Sequence, residues 1–383
     1  LAAALGTASF GQTTLTAIPG EAAAAKYASI SQEILRAIEK GNEYLKSKQN
    51  PEGYWAQPSY PALTALAVTA YMRDPANQGK PVPEYIRKGY DFILKSQKED
   101  GSIFNRGMSS YNTAVCMMAL LAANKEEYAP AILKGRAYLI KQQNHFAPDN
   151  PYNGGIGYGD KQAPPIADLS NTSLALEAIY YSQKLAKDGK YGEQPDLDWN
   201  AATEFINRCQ QNPAVNKEPW VSNDKSQLGG FVYRPGVSSA RDKKAAAFDK
   251  AEPPKAYGSM TYAGMQSLIY ANVDKNDPRV KLALKWLENS YSLDENPGMG
   301  VQGLYYYYQA MSKALSAMGI DTLTLENGRK VDWRDELANK LISIQKSDGS
   351  WVNTNNRWWE ADPVLVTSYC VLALEQLYHS IPR

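Results

Sequence analysis

Gln345-Lys346-Ser347-Asp348-Gly349-Ser350-Trp351, near the end of the chain, repeats the spacing of Gln49-Asn50-Pro51-Glu52-Gly53-Tyr54-Trp55 near its start. Between them, Gln97-Lys98-Glu99-Asp100-Gly101-Ser102-Ile103 keeps the Gln and the Gly but carries Ile in place of Trp. Each copy joins two stretches of helical periodicity, and that pair of stretches recurs six times. Recurrence at this period is the mark of stacked helical hairpins that bury their apolar faces on one another.

The second stretch of each pair can be laid in register. With Thr64, Thr113, Thr172, Thr261, Tyr307 and Thr367 in one column, the position three residues on reads Ala67, Cys116, Ala175, Gly264, Ala310 and Cys370, all small. Positions i and i+3 share a helix face, so each of these helices offers a hydroxyl followed by a flat spot. A ring of inner helices requires such residues where space narrows. The first stretch of each pair is amphipathic, as in Ile34-Leu35-Arg36-Ala37-Ile38-Glu39-Lys40 and Val280-Lys281-Leu282-Ala283-Leu284-Lys285-Trp286. One wet face suits an outer ring. Six outer and six inner helices make an all-α fold, an α/α toroid of six helical hairpins.

Composition narrows the function classes. The chain has 383 residues, a formal net charge of +1 and 21% charged residues, so no basic excess points to nucleic acid. Three cysteines, two of them in the small-residue column, read as buried thiols, and no Cys-x-x-Cys pair points to a metal. The two histidines, His145 in a Gln/Asn-rich turn and His379 near the end of the chain, are expected to be neither catalytic nor ligands. No cofactor is implied, and no run is long and apolar enough to span a bilayer.

Leu1-Ala2-Ala3-Ala4-Leu5-Gly6-Thr7-Ala8-Ser9-Phe10, followed by Glu21-Ala22-Ala23-Ala24-Ala25, has the order of an export-signal core and an Ala-rich cleavage zone without its charged start. Residues 1–29 are therefore read as a truncated export signal or linker, with an Ala-rich first helix as the alternative. Residues 30–383 are read as a single toroid domain of an exported, periplasmic or cell-envelope protein. Two long Gly/Pro-rich loops, residues 144–167 and 212–257, lead into inner helices and are expected to form a rim over a central funnel, with residues 238–252 mobile.

The signature, the helix pairing and the segment Asp168-Leu169-Ser170-Asn171-Thr172-Ser173-Leu174-Ala175 together resemble the terpenoid cyclase and protein prenyltransferase superfamily, the squalene-hopene cyclase type in particular. Within it the chain is most similar to bacterial prenyltransferase and squalene oxidase repeat proteins. The resemblance implies one toroid here, where squalene cyclases use two. It also implies where an acid should be. Cyclases of this kind protonate an alkene or epoxide with an Asp of a D-x-D-D-T-A motif. Here Asp168 and Thr172 keep their places, but Ser170 stands at the proton donor's position and Asn171 follows it. A serine hydroxyl cannot protonate an alkene. The prenyltransferase branch implies a zinc held by Asp-x-Cys and a later His, and complement-like thioester domains a Gly-Cys-Gly-Glu-Gln stretch; this sequence has neither.

What remains is a polar, aromatic mouth. Tyr257-Gly258-Ser259-Met260-Thr261-Tyr262, Gly303-Leu304-Tyr305-Tyr306-Tyr307-Tyr308-Gln309 and Asn356-Arg357-Trp358-Trp359-Glu360-Ala361-Asp362-Pro363 all reach the same end of the toroid by register. Tyrosines outnumber phenylalanines 26 to 7, which favours an amphipathic or glycan-like ligand over a pure hydrocarbon. The candidate catalytic residues are Asp168, Glu360 and Asp362. The candidate ligand-binding residues are Asn171, Arg234, Tyr257, Tyr262, Tyr305, Tyr307, Arg357 and Trp358, with Arg234 and Arg357 as charge partners. Helix N-termini nearby favour ionised carboxylates. Two functions fit: a cell-envelope protein whose funnel holds an amphipathic lipid, a glycan or a protein partner, or an enzyme, either an isoprenoid-type cyclase or transferase or a polysaccharide lyase or hydrolase. Carboxylates with raised pKa facing one cavity would mark the enzyme; a plugged centre, with the acids tied up in caps and salt bridges, would mark the binder.

Overall fold

The computed structural model describes residues 21–159, 166–240 and 253–381. An inner ring consists of α2 (Pro61–Arg73), α4 (Ser109–Ala123), α6 (Leu169–Ala186), α8 (Gly258–Tyr270), α10 (Leu304–Met318) and α12 (Pro363–Ser380). Each packs on the next, and α12 returns to α2, so the ring closes. The outer helices are α1 (Glu21–Ser47), α3 (Glu84–Lys95), α5 (Ala129–Lys141), α7 (Trp199–Cys209), α9 (Pro278–Asn289) and α11 (Trp333–Ser343). Together they form the expected α/α toroid. Burial separates the rings: every residue of α8 is buried, whereas α3 buries only Ile86, Gly89, Tyr90 and Ile93, one stripe at helical spacing. Cys116 and Cys370 are both buried on inner helices, as their column requires.

The hydroxyl column has a definite task. Thr64, Thr113, Thr172, Thr261 and Thr367 each accept, through Oγ1, the backbone N–H of the residue that ends the preceding turn: Trp55, Ile103, Ile156, Phe231 and Trp351, at 2.8–3.1 Å. A buried N–H left unmet costs about 1–3 kcal/mol, so the hydroxyl fixes where the turn meets its inner helix. Tyr307 departs from the pattern, its phenol donating to the Ser292 carbonyl at 2.9 Å.

The turns themselves clamp neighbouring hairpins. Gln345 Nε2 donates to the Gly349 carbonyl and, at 2.9 Å, to the Ala37 carbonyl on α1, joining the last hairpin to the first. Gln49, Gln97, Gln143 and Gln210 make the same bridge to the start of the following outer helix, at Tyr85, Ala131, Asp198 and Arg279. Gly349 has φ +87°, and a Cβ there would collide with the Lys40 carbonyl, so only glycine lets the turn lie on the neighbouring helix. The Trp351 indole N–H donates to the Leu341 carbonyl at 2.8 Å, and its ring lies over Gly41.

At the start of the chain, α1 extends back to Glu21, earlier than the expected domain start at residue 30, and Tyr27 donates to Asp332 at the head of α11. The run of residues 1–10 lies outside the described residues, as do residues 241–252 of the segment expected to be mobile. Ser238, at the head of that segment, is buried and donates to the Lys255 carbonyl. No described helix is long and apolar enough to cross a membrane.

Candidate functional site

The two long loops meet over the start of α6. Leu169 N–H donates to the Tyr233 carbonyl at 2.8 Å, and Ser110 N–H, on α4, to the Tyr158 carbonyl at 3.0 Å. Asp168 lies beneath them, 2% exposed, as the N-cap of α6. Its Oδ1 accepts the Asn171 backbone N–H and its Oδ2 the Asn171 side-chain amide, both at 2.8 Å. Burial pushes its pKa up to about 6 from an ordinary 3.8, against the lowering pull of Asn171, of a hydrogen bond from Tyr233 and of the Arg234 charge. The expectation that the helix start would lower this carboxyl's pKa is thus corrected: desolvation exceeds the stabilisation from N–H donors. Asn171 keeps a buried Oδ1 with no partner among the described residues.

Glu360 is 1% exposed and serves another helix. It accepts the backbone N–H of Tyr306 at 2.8 Å and the Asn353 amide at 2.6 Å, capping α10, whose own N-cap residue, Gly303, has no side chain to do so. Burial again raises the carboxyl. Asp362 caps α12 by accepting the Val364 N–H at 2.8 Å. All three candidate acids therefore finish helix N-termini.

The candidate ligand residues divide. Tyr257 lies near Asp168 and Arg357, and its phenol is raised chiefly by burial. Arg357 is exposed, donates to Gln302 Oε1 and covers the ring of Trp358, itself 45% exposed, so these two belong to the rim. Tyr262, Tyr305 and Tyr307 do not face the centre: Tyr262 packs its ring on Tyr307, while Tyr305 and Tyr307 donate outward to the Val352 and Ser292 carbonyls. Their place in a ligand-lining set is corrected accordingly.

Tyr306 faces the axis instead, with a hydrogen bond linking it to Ser170 and with Asp168 and Glu177 in electrostatic range. The axial space holds about 70 Å³ and is lined by inner helices alone. Its walls follow the register: the residues two and five positions after the Thr column are Leu66 and Thr69, Val115 and Met118, Leu174 and Glu177, Tyr369 and Leu372. Tyr111, Tyr306 and Tyr369 line it together, and Tyr306 lies in electrostatic range of Asp168. Counting from the column picks out Glu177 and Tyr369 from sequence alone; choosing tyrosines by their abundance at helix starts does not. Among the described residues, no His, Cys, Asp and Glu cluster is arranged to hold a metal ion.

With this geometry the fold can be compared with known structures. The chain is similar to type II terpene cyclase MstE from Scytonema, at 11% identity and a TM-score of 0.53, over 91% of this chain and 99% of that one. The fold is terpenoid cyclase-like. A variant of the same cyclase in complex with its substrate geranylgeranyl dihydroxybenzoate gives a TM-score of 0.53 at 10% identity, over 92% of this chain and 99% of that one. No protein-family model matches the chain. In this terpenoid cyclase-like toroid the likeness is one of fold alone.

Proposed function

We propose that this chain is a ligand-binding toroid whose central funnel takes an amphipathic lipid or glycan, and that it does not perform squalene-type cyclisation. The observation that carries this reading is the use of the acids: Asp168, Glu360 and Asp362 each accept helix-start N–H groups. A carboxyl spent in that way is a poor proton donor to an alkene, which needs a strong acid free to release its proton. The axis beyond presents phenols, aliphatic side chains and a Lys–Glu pair, which suits a ligand with both polar and apolar parts. The structural neighbour's geranylgeranyl dihydroxybenzoate is itself amphipathic. At about 70 Å³ the axial space accommodates a polar group, and a longer chain requires Tyr111, Tyr306 and Tyr369 to part. Mass spectrometry of lipids and glycans retained by purified protein tests the reading; recovery of none, with no amphiphile bound on titration, counts against it.

One observation favours a second reading. A carboxyl that titrates near pH 6 has the poise of a general acid or base, and Asp168 has Tyr233, Tyr257 and Ser170 about it. An enzyme built on it would act on a polar substrate, such as a sugar, rather than on an alkene. Turnover of a polysaccharide by the wild type, lost in Asp168→Asn with folding intact, would favour it. Export to the cell envelope is proposed on the apolar, Ala-rich composition of residues 1–25. Fractionation of cells making the full-length protein tests that.

A further inference from the structure

The axis has a second charged end, away from Asp168. Lys313 on α10 and Glu177 on α6 form an ion pair of 2.5 Å across it, with side chains only 19% and 8% exposed. Arg73, the last residue of α2, lines the same space and donates through Nη2 to Gln376 at 2.8 Å. Among the described residues no carboxylate pairs with Arg73. Asp74, the next residue, accepts instead from Asn42 on α1 and from the Ala76 N–H. Glu375 is close but fully buried and does not line the space; both its oxygens lack hydrogen-bond partners, and burial pushes its carboxyl well above the usual range. Two cations and one anion thus face an axial space of about 70 Å³.

Drawing three charges partly out of water is costly, and packed aliphatic residues would close a ring more cheaply. Part of the Arg73 charge complements the last carbonyls of α2, but Lys313 sits mid-helix on α10 and has no such role. The unmatched positive charge therefore awaits an acidic group. We infer that this end of the axis is a binding site for one carboxylate or phosphate monoester, held between Arg73 and Lys313. The guanidinium fork suits two oxygens of either group, and Gln309 adds a neutral amide donor beside it. A chain attached to that group would run past Leu66, Leu174 and Leu372. This inference rests on the ligand-binding reading and specifies the ligand as an anionic amphiphile.

Calorimetric titration of the full chain at pH 7 with octyl phosphate, octanol and inorganic phosphate tests it. The expected result is octyl phosphate bound at least tenfold more tightly than octanol, with that margin lost in Arg73→Gln and largely kept in Arg73→Lys. Competition by inorganic phosphate would identify a free anion as a sufficient ligand; its absence would identify a lipid headgroup. Equal binding of octyl phosphate and octanol to the wild type would overturn the charge assignment while leaving the funnel reading standing, whether or not Arg73→Gln folds. Binding of neither would overturn both.

Discussion

The Oε1 atom of Glu360 accepts the backbone N–H of Tyr306 at 2.8 Å, so a carboxylate from the turn before α12 closes the start of α10. Two inner helices are thereby locked through one side chain. Glu360→Ala would leave buried N–H groups and the Asn353 amide unmet. The expected loss is roughly 1–3 kcal/mol, and Glu360→Gln, which keeps one acceptor, should lose less. Urea unfolding of both variants measures the difference; equal midpoints for all three proteins would contradict the capping role.

The turn residues should rank by what they bury. Trp351→Ala removes a fully buried indole and its hydrogen bond to Leu341, with an expected cost of about 3–5 kcal/mol. Gly349→Ala forces a Cβ against the Lys40 carbonyl at φ +87° and should also lower the melting midpoint. An unchanged midpoint in either variant would remove the clamp argument.

Asp168 gives the protein a distinct response to pH. Its folded-state pKa of about 6 exceeds the ordinary 3.8, so between these values the folded chain binds more protons than the unfolded one. Stability from this group is complete below about pH 3.8 and is lost as pH rises through 6, by roughly 3 kcal/mol. Glu360 shifts in the same direction, so the Asp168 share is read as the difference between wild type and Asp168→Asn across pH 4–7. That difference should move in favour of the variant as pH rises. A pH-independent difference would mean that the carboxyl is ionised throughout.

Incubation with squalene should yield no hopene-like product by gas chromatography and mass spectrometry. The Ser170 hydroxyl occupies the donor's place, and the Asp168 oxygens are already engaged by Asn171. Product from the wild type, absent in Asp168→Asn, would refute this.

The sequence carried the ring more plainly than the centre. Thr64 and Thr367 stand at a fixed place on their helices because their hydroxyls each meet one turn N–H, and a fixed task leaves a fixed spacing. Gln143 and Gly154, or Gln210 and Gly229, perform the same clamp as Gln49 and Gly53, yet inserted loops stretch their separation and hide the match. The tyrosines are ambiguous in sequence for another reason. Tyr305, Tyr306 and Tyr307 are adjacent and chemically alike, and only the direction of each Cβ around α10 decides that Tyr306 meets the axis while its neighbours turn to loop carbonyls. The raised Asp168 carboxyl depends on burial by loops distant in sequence, which local pattern does not reveal.

Gln345 and Ala37 are 308 residues apart, and the hydrogen bond between them is the last link of the ring. An open helical array needs terminal repeats with specially wetted outer faces; here α1 and α11 shield each other, and among the described residues no hairpin is left as an end. Synthesis therefore delivers α1 long before the helix that covers it. Until residues 333–371 emerge, the apolar side of α1 has only provisional neighbours, and its loop-closure entropy is among the largest the chain has to overcome. A circular permutant that opens the chain at an exposed loop and places α11 and α12 directly ahead of α1 would turn this slowest contact into a local one, and it should fold faster without changing the ring it forms.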